Sequence, residues 1–423
     1  MSVATTETAR AIAESVARAS YGKLIAMISA RTRDVASAED ALAEAFRIAL
    51  QSWPQSGIPL RPEAWLLTVA RREAGHAARH ARVRAAASPT LEIIASFASD
   101  TIEAIPDERL KLMFVCAHPA IDPSLQAPLM LQTVLGLDAE RIAACFLSSP
   151  SAMAQRLVRG KSKIKDAGLA FEVPGADELP GRLDAVLAAI YAAYGTGWED
   201  VMGADPKRKG LTEEAIWLAR MVVGLVPDAE AQGLLALMLY CEARRPARRS
   251  ASGQFVRLSE QDCGLWSGNQ IAEAEHLLLQ AARATQPGRF QTEAAIQSVH
   301  VNRAVTGETH WSALIALYGL LVHLSPTIGV RVAEAAALVE CGSADVALSR
   351  LDALGDAAGS YQPYWVARGE ALAKLSQSGL AREAFIRGAG MSEDETVRNF
   401  LLARADAFGQ PSSPRKNKSP AGR

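Results

Sequence analysis

The chain has 423 residues, 49% of them hydrophobic, with 45 basic and 46 acidic side chains and a formal net charge of -1. At about 150 residues per domain it holds two to four domains with cores of their own, which excludes a disordered tail, while the balanced charge excludes a uniformly basic coat protein. Cys116, Cys145, Cys241, Cys263 and Cys341 are scattered with no CxxC pair, which argues against a disulfide framework or a zinc module and for a reducing cytoplasm.

Apolar residues recur at helical spacing almost throughout, Ala and Leu dominate, and β-branched runs are short, so the expected fold class is all-α. The charge is uneven: +3 over residues 1–170, -8 over 171–410 and +4 over the last thirteen. Breaks rich in Pro, Gly or Ser fall at Pro54 to Pro62, Ala85 to Pro89, Glu172 to Pro180, Gly203 to Gly210 and Arg245 to Gly253, with a last one from Gln410. The expected organisation is a helical front over 1–85, a linker over 86–104, a second helical unit over 105–172, a helical body over 180–408 and a disordered basic tail over 409–423. No signal-peptide core opens the chain and no run of 18 apolar residues occurs, so neither secretion nor a membrane span is expected.

In chain order, the first helix with a distinctive edge carries Glu39, Asp40 and Glu44 beside an apolar stripe of Ala41, Leu42, Ala45, Phe46 and Leu50, and alone reads as a solvated face. A basic helix follows from about Glu63 to Arg84, with Arg61, Arg71, Arg72, Arg79, Arg82 and Arg84 against two glutamates and with Trp65, Leu66 and Val69 on its apolar side. His76 and His80 stand four apart on it, but no Glu follows the first and no third ligand is evident, so no metal is expected.

The clearest local signal lies at 138–165. Asp138 caps a helix with Ile142, Ala143 and Phe146, and a four-residue break leads to a second start signal, Ser149 with Pro150 behind it. This is helix-turn-helix spacing. On the second helix Met153, Leu157 and Ile164 form the inner stripe, while Ser151, Ala152, Gln155, Arg156, Arg159 and Lys163 point away. Arg and Gln there can each donate two bonds to a base edge in the major groove, and the net +4 over 139–170 suits phosphate contact. An αα-hairpin with a solvated basic face is the alternative.

In the body, residues recur with the 34-residue period of tetratricopeptide helix pairs, where small residues meet a bulky one between the two helices. Gly369, Leu372, Ala381 and Phe385 fit, one period earlier Ala335, Leu338, Ala347 and Leu351 fit, and weaker matches fall at Ala313 and Leu317 and at Ala215 and Ala219. An irregular bundle is the alternative. Arg244, Arg245, Arg248 and Arg249 with Glu260, Gln261, Asp262 and Trp266 form the body's most unusual polar segment, either a contact surface or a loop with internal ion pairs. No phosphate loop, GxSxG or HExxH is present, so no catalytic residues and no cofactor are expected.

Taken together, "RDVASAEDALAEAFRIALQSWP" and "RPEAWLLTVARREA" resemble regions 2.2 to 2.4 of bacterial sigma factors, and "RIAACFLSSPSAMAQRLVRGKSKIKDAG" resembles region 4.2. The chain is most similar to the extracytoplasmic-function group with a long tetratricopeptide-like extension. The resemblance implies that Glu39, Asp40, Glu44 and Phe46 dock on the clamp helices of core RNA polymerase, with the polymerase flap as a second contact. It further implies that the loop from Gln55 to Pro62 captures a flipped -10 base beside Trp53, that Arg61, Arg71, Arg72, Arg79 and Arg82 contact the -10 duplex, and that the helix after Pro150 reads the -35 element. For Trp65 a core role is expected. The implied function is promoter-specific transcription initiation, with the extension as a regulatory surface for a partner and no enzymatic activity. "ARREAGHAARHARVR" stands where relatives often carry "ARNRAIDRLRR", and this motivates the competing reading of a polymerase-docking scaffold with a degenerate sigma module.

Overall fold

The computed structural model describes residues 3–85, 108–146, 148–175, 177–199, 210–284 and 286–408. The expected tail and the whole of the expected linker lie outside them. Among the described residues there are eighteen α-helices and no strand, only an isolated bridge between Arg249 and Phe255, so the fold is all-α. The chain forms two compact units, residues 1–225 and 226–423.

The first unit opens with a three-helix bundle of α1 (Val3–Thr32), α2 (Val35–Ser56) and α3 (Pro62–Ala85). Leu24, Ile25, Ile28, Leu42, Leu66 and Leu67 fill its core. Asp34 starts α2 by accepting the Ser37 N–H at 3.1 Å, satisfying one of the donors a helix start leaves open. The helix runs past the break expected at Pro54, because a proline in the last turn forfeits a single bond. It stops at Gly57, whose φ of 86° only glycine adopts freely and whose N–H returns to the Trp53 carbonyl at 3.1 Å.

Six helices complete the unit: α4 (Arg109–Cys116), α5 (Pro123–Thr133), α6 (Ala139–Cys145), α7 (Pro150–Asp166), α8 (Pro180–Glu199) and α9 (Leu211–Leu225). α8 packs on α4 and α5, and α9 on α8 and α4. Arg109 joins α4 to α9: its side chain, 10% exposed, pairs with Glu214 and stands 4.2 Å over the Trp217 ring.

The second unit comprises α10 (Ala229–Ala243), α11 (Gly268–Ala281), α12 (Arg289–Thr306), α13 (Trp311–Leu324), α14 (Ile328–Glu340), α15 (Ala344–Asp352), α16 (Gln362–Lys374), α17 (Ser378–Gly390) and α18 (Glu395–Ala407). α10 has almost no polar face because α11 and α12 cover it, burying Gly233 through Tyr240. The Glu230 carboxylate accepts the Phe290 and Gln291 N–H groups at 2.9 Å each, closing the start of α12. Further along, Ala335, Leu338, Ala347 and Leu351 share one buried cluster and Leu372, Ala381 and Phe385 another, with Gly369 lying directly on the Phe385 ring. The weaker match at Ala313 differs: that residue is exposed, and Leu314 and Leu321 turn inward instead.

The loop between α10 and α11 is held from several sides. Arg303 donates to the carbonyls of Leu258 at 2.9 Å and Gln261 at 3.1 Å, Arg249 pairs with Asp394, and Arg257 reaches Glu340 at 3.3 Å and Glu370 at 3.7 Å. His300 sits behind it, and burial together with the nearby Arg244 and Arg303 pushes its pKa down to about 4.

A methyl group on Gly233 would stand 2.5 Å from the Gln291 backbone nitrogen, whereas one on Gly319 in α13 would meet nothing within 4 Å. Gly233→Ala is therefore expected to cost about 1–3 kcal/mol in urea unfolding of the full chain, and Gly319→Ala to add up to about 1 kcal/mol. The His300 imidazole is neutral in the fold, while the unfolded chain takes up its proton near 6.5. Its contribution to stability is complete above that value and disappears as the pH falls toward about 4, a loss of about 3 kcal/mol. Melting curves of His300→Gln between pH 7 and 4 should show that part of the pH dependence flattened.

Candidate nucleic-acid interface

α7 begins where Ser149 Oγ accepts the Ala152 N–H at 3.3 Å and Pro150 supplies a first turn that needs no N–H. Met153, Leu157, Gly160 and Ile164 are buried beneath it, and Gly160 lets the helix settle onto Leu129 of α5. The opposite side is open: Ser151, Ala152, Gln155, Arg159 and Lys163 are exposed. Ser151, Gln155, Arg159 and Lys163 are successive fourth residues and so form one ridge along the helix.

Arg156 is less free than its neighbours. Its guanidinium donates to the Ser124 hydroxyl at 2.7 Å and to the Ser124 carbonyl at 3.2 Å, tying α7 to the start of α5. Beside this contact lies a cleft of about 330 Å³ lined by Asp122, Ser124, Arg156, Arg159 and Lys163. Hydrogen bonds from the Ser124 hydroxyl and N–H, and the nearby Arg156, hold the Asp122 carboxyl below its ordinary range, so it stays ionised. Three cations around one carboxylate leave the cleft net positive, as a phosphate contact requires.

The residues expected at the -10 element are less uniform. Trp53 is 2% exposed and meets Trp65 edge to face, with ring centroids 5.5 Å apart, so it belongs to the bundle core and the half-buried Trp65 is the outer ring of the pair. The loop after α2 is open, with Leu60 fully exposed. Arg61 and Arg72 are exposed and Arg71 half-buried. Arg79 and Arg82 continue α3, and their side chains, like that of His80, lie outside the described residues.

On α2, Asp40 is exposed and Phe46 half-buried. Glu44 takes a hydrogen bond from Arg47 at 2.8 Å, which holds its carboxyl below the ordinary range. Glu39 points elsewhere than expected of a solvated edge: it pairs with Lys161 of α7 at 2.6 Å. The lysines that reach α2, Lys161 and Lys165, leave no mark in the sequence beyond their charge.

In the second unit a cavity of about 550 Å³ is lined by Phe255, Trp311, Tyr318, Tyr361, Phe400 and the Arg257 to Glu370 pair, among others. Among the described residues no group of three or more His, Cys, Asp or Glu side chains is placed to hold a metal ion, and no helix is long and apolar enough to cross a membrane.

Comparison with known proteins supplies the family. Residues 16–84 match Sigma-70 region 2, and residues 182–282 match a family of unknown function, DUF6596. Over 383 residues the chain is 33% identical to the uncharacterized protein R00370 of Rhizobium meliloti (strain 1021), an alignment covering 88% of this chain and 90% of that one. No solved structure matches. The region 2 match falls within the bundle of α1 to α3, and the chain belongs to the same family as the uncharacterized Rhizobium protein, with a Sigma-70 region 2 module at its front followed by a long helical extension.

Proposed function

We propose that the protein is an alternative sigma factor of the extracytoplasmic-function type, which acts in the cytoplasm, binds core RNA polymerase and directs transcription from its own set of promoters. What carries the reading is the pairing of a Sigma-70 region 2 module with a second, downstream helix pair, α6 and α7, whose outer ridge is cationic. In this reading α2 docks on the polymerase clamp helices through Asp40, Glu44, Phe46 and, once released from Lys161, Glu39. The loop from Gln55 to Pro62 takes the -10 base, with Arg61, Arg71, Arg72, Arg79 and Arg82 on the surrounding duplex. Trp53 supports that loop from the core, which replaces direct stacking on the base.

The pair α6 and α7 acts as a helix-turn-helix, placed near the flap. Gln155 and Arg159 read base edges of the -35 element, Ser151 and Ala152 bring the helix start close to the groove floor, and Lys163 contacts phosphate. Arg156 positions α7 through Ser124 and borders the phosphate cleft. The second unit, with its tetratricopeptide-like pairing around Phe385 and Leu351, serves as the surface for a regulator.

The test is in vitro transcription with core polymerase on a promoter library, comparing the full chain with Arg159→Ala, Lys163→Ala, a double variant that leaves the Arg156 anchor intact. The expected outcome is a set of transcripts sharing an upstream motif, lost by at least tenfold in the double variant while core binding is retained. Tight core binding by both proteins with no transcript from either would instead favour a docking scaffold.

A further inference from the structure

The cavity of about 550 Å³ in the second unit falls within the range of about 300–1,000 Å³ that small-molecule sites occupy. The space exists because small residues line one side of it. Gly329, Ala333, Ala336 and Ala337 of α14 and Ala367 of α16 stand where leucines would fill it. The rest of the lining is mostly aromatic, from Trp311 and Tyr318 of α13, Tyr361 at the start of α16, Phe400 of α18 and Phe255 of the loop after α10. That loop is already set in place. Phe255 meets Phe400 edge to face with ring centroids 5.4 Å apart, the Val256 N–H donates to the Arg248 carbonyl at 2.9 Å, and the Ser250 N–H donates to the Gln254 carbonyl at 2.9 Å. A ligand entering the cavity has little left to order.

The polar groups around the cavity define what it takes. Arg257 stands 3.3 Å from Glu340 and 3.7 Å from Glu370, and Arg404, outside the lining, pairs with Glu370 at 2.6 Å, so two guanidiniums balance two carboxylates. An ion entering this space would lose its hydration and meet either a like charge or a counter-ion that is already paired. Two further polar groups of the lining, His300 and Tyr318, carry no charge near neutral pH. Burial, with Arg244 and Arg303 nearby, holds the imidazole at about 4, and burial, with Glu293 nearby, pushes the Tyr318 hydroxyl up to about 12. Among the described residues no hydrogen bond engages that imidazole or that hydroxyl.

We infer that the cavity is a binding site for an uncharged aromatic molecule bearing a hydrogen-bonding group such as a phenolic hydroxyl, which makes the second unit a small-molecule receptor. The aromatic side chains cover the body of the ligand, and His300 and Tyr318 bond its polar group. All of these residues belong to the second unit, so the inference stands apart from the sigma reading.

Isothermal titration of the full chain near neutral pH with 2-naphthol, 2-naphthoate and 2-naphthylmethylammonium tests the site, because the three share one ring system and differ in charge. 2-Naphthol is expected to bind as a single molecule per chain, at least about tenfold more tightly than either ion. Tyr318→Phe, which removes only the hydroxyl, is expected to weaken 2-naphthol about three- to tenfold. Ala333→Leu adds methyl groups at a half-buried position of the lining and is expected to abolish binding while the melting curve stays that of the wild type. If that variant melts early, Val397→Phe fills the cavity from α18 and gives the same reading. Binding of either ion as tightly as 2-naphthol would overturn the ligand class. Undiminished 2-naphthol binding by the filled variants would overturn the site, and absence of binding by all three probes, in titration and in thermal shift, would overturn both.

Discussion

At three crossings the helices of this protein leave no room for a further side chain. At Gly22 the backbone of α1 lies against a carbonyl of α5, at Gly160 α7 lies on Leu129, and at Gly233 α10 lies against the backbone of α12. The separation of two packed helices is set by the residues at their crossing, and here the crossings are made by Gly and Ala with Leu filling the flanks. The neighbouring features follow from it. Glu230 can close the start of α12 because α10 is near enough, and Lys161 can reach Glu39 because α1 has already drawn the two groups of helices together.

Charge is distributed with the same economy of space. The basic excess of the first 170 residues is divided on α7 between an outward ridge and two lysines, Lys161 and Lys165, that pair with Glu39 and Asp34. In the second unit four arginines turn to partners within the unit. Arg249, Arg257 and Arg303 each bind a carboxylate or a run of carbonyls and hold the loop after α10, while Arg404 of α18 shares Glu370 of α16 with Arg257. The polar segment that stands out in the sequence is therefore an ordered strap whose arginines pair with carboxylates of the surrounding helices, and the aromatic cavity is lined in part by it.

Local signals in the sequence are those that need only a few neighbouring residues to be satisfied. Asp138 and Ser149 announce the starts of α6 and α7 because their side-chain oxygens bond to N–H groups three positions on, and the inner stripe of α7 follows from helical spacing. The small residues facing Phe385 and Leu351 are legible because a repeat places them twice. Contacts between distant parts of the chain are not. Glu39 and Lys161 are 122 residues apart, and Arg249 and Asp394 are 145 apart. An acidic helix edge has the same appearance whether it faces water, a partner or another helix of the same chain. Trp53 shows the reverse error: an aromatic beside an open loop reads as a ligand for a base, yet Trp65 and the bundle claim it for the core.

Arg109 bears on how such a chain came to be assembled. Its guanidinium, nine-tenths buried, is neutralised by Glu214 and covered by Trp217, both on α9, which follows the helices resembling a sigma factor. Without α9 the Arg109 side chain would lose Glu214 and Trp217 together with the cover they give it, so the face of α4 around it is fitted to α9. The extension is grafted into the first unit through α8 and α9 and cannot be exchanged as a detachable cassette at the boundary that the sequence suggests. Recombination that preserves folding would fall near residue 225, where the first compact unit ends.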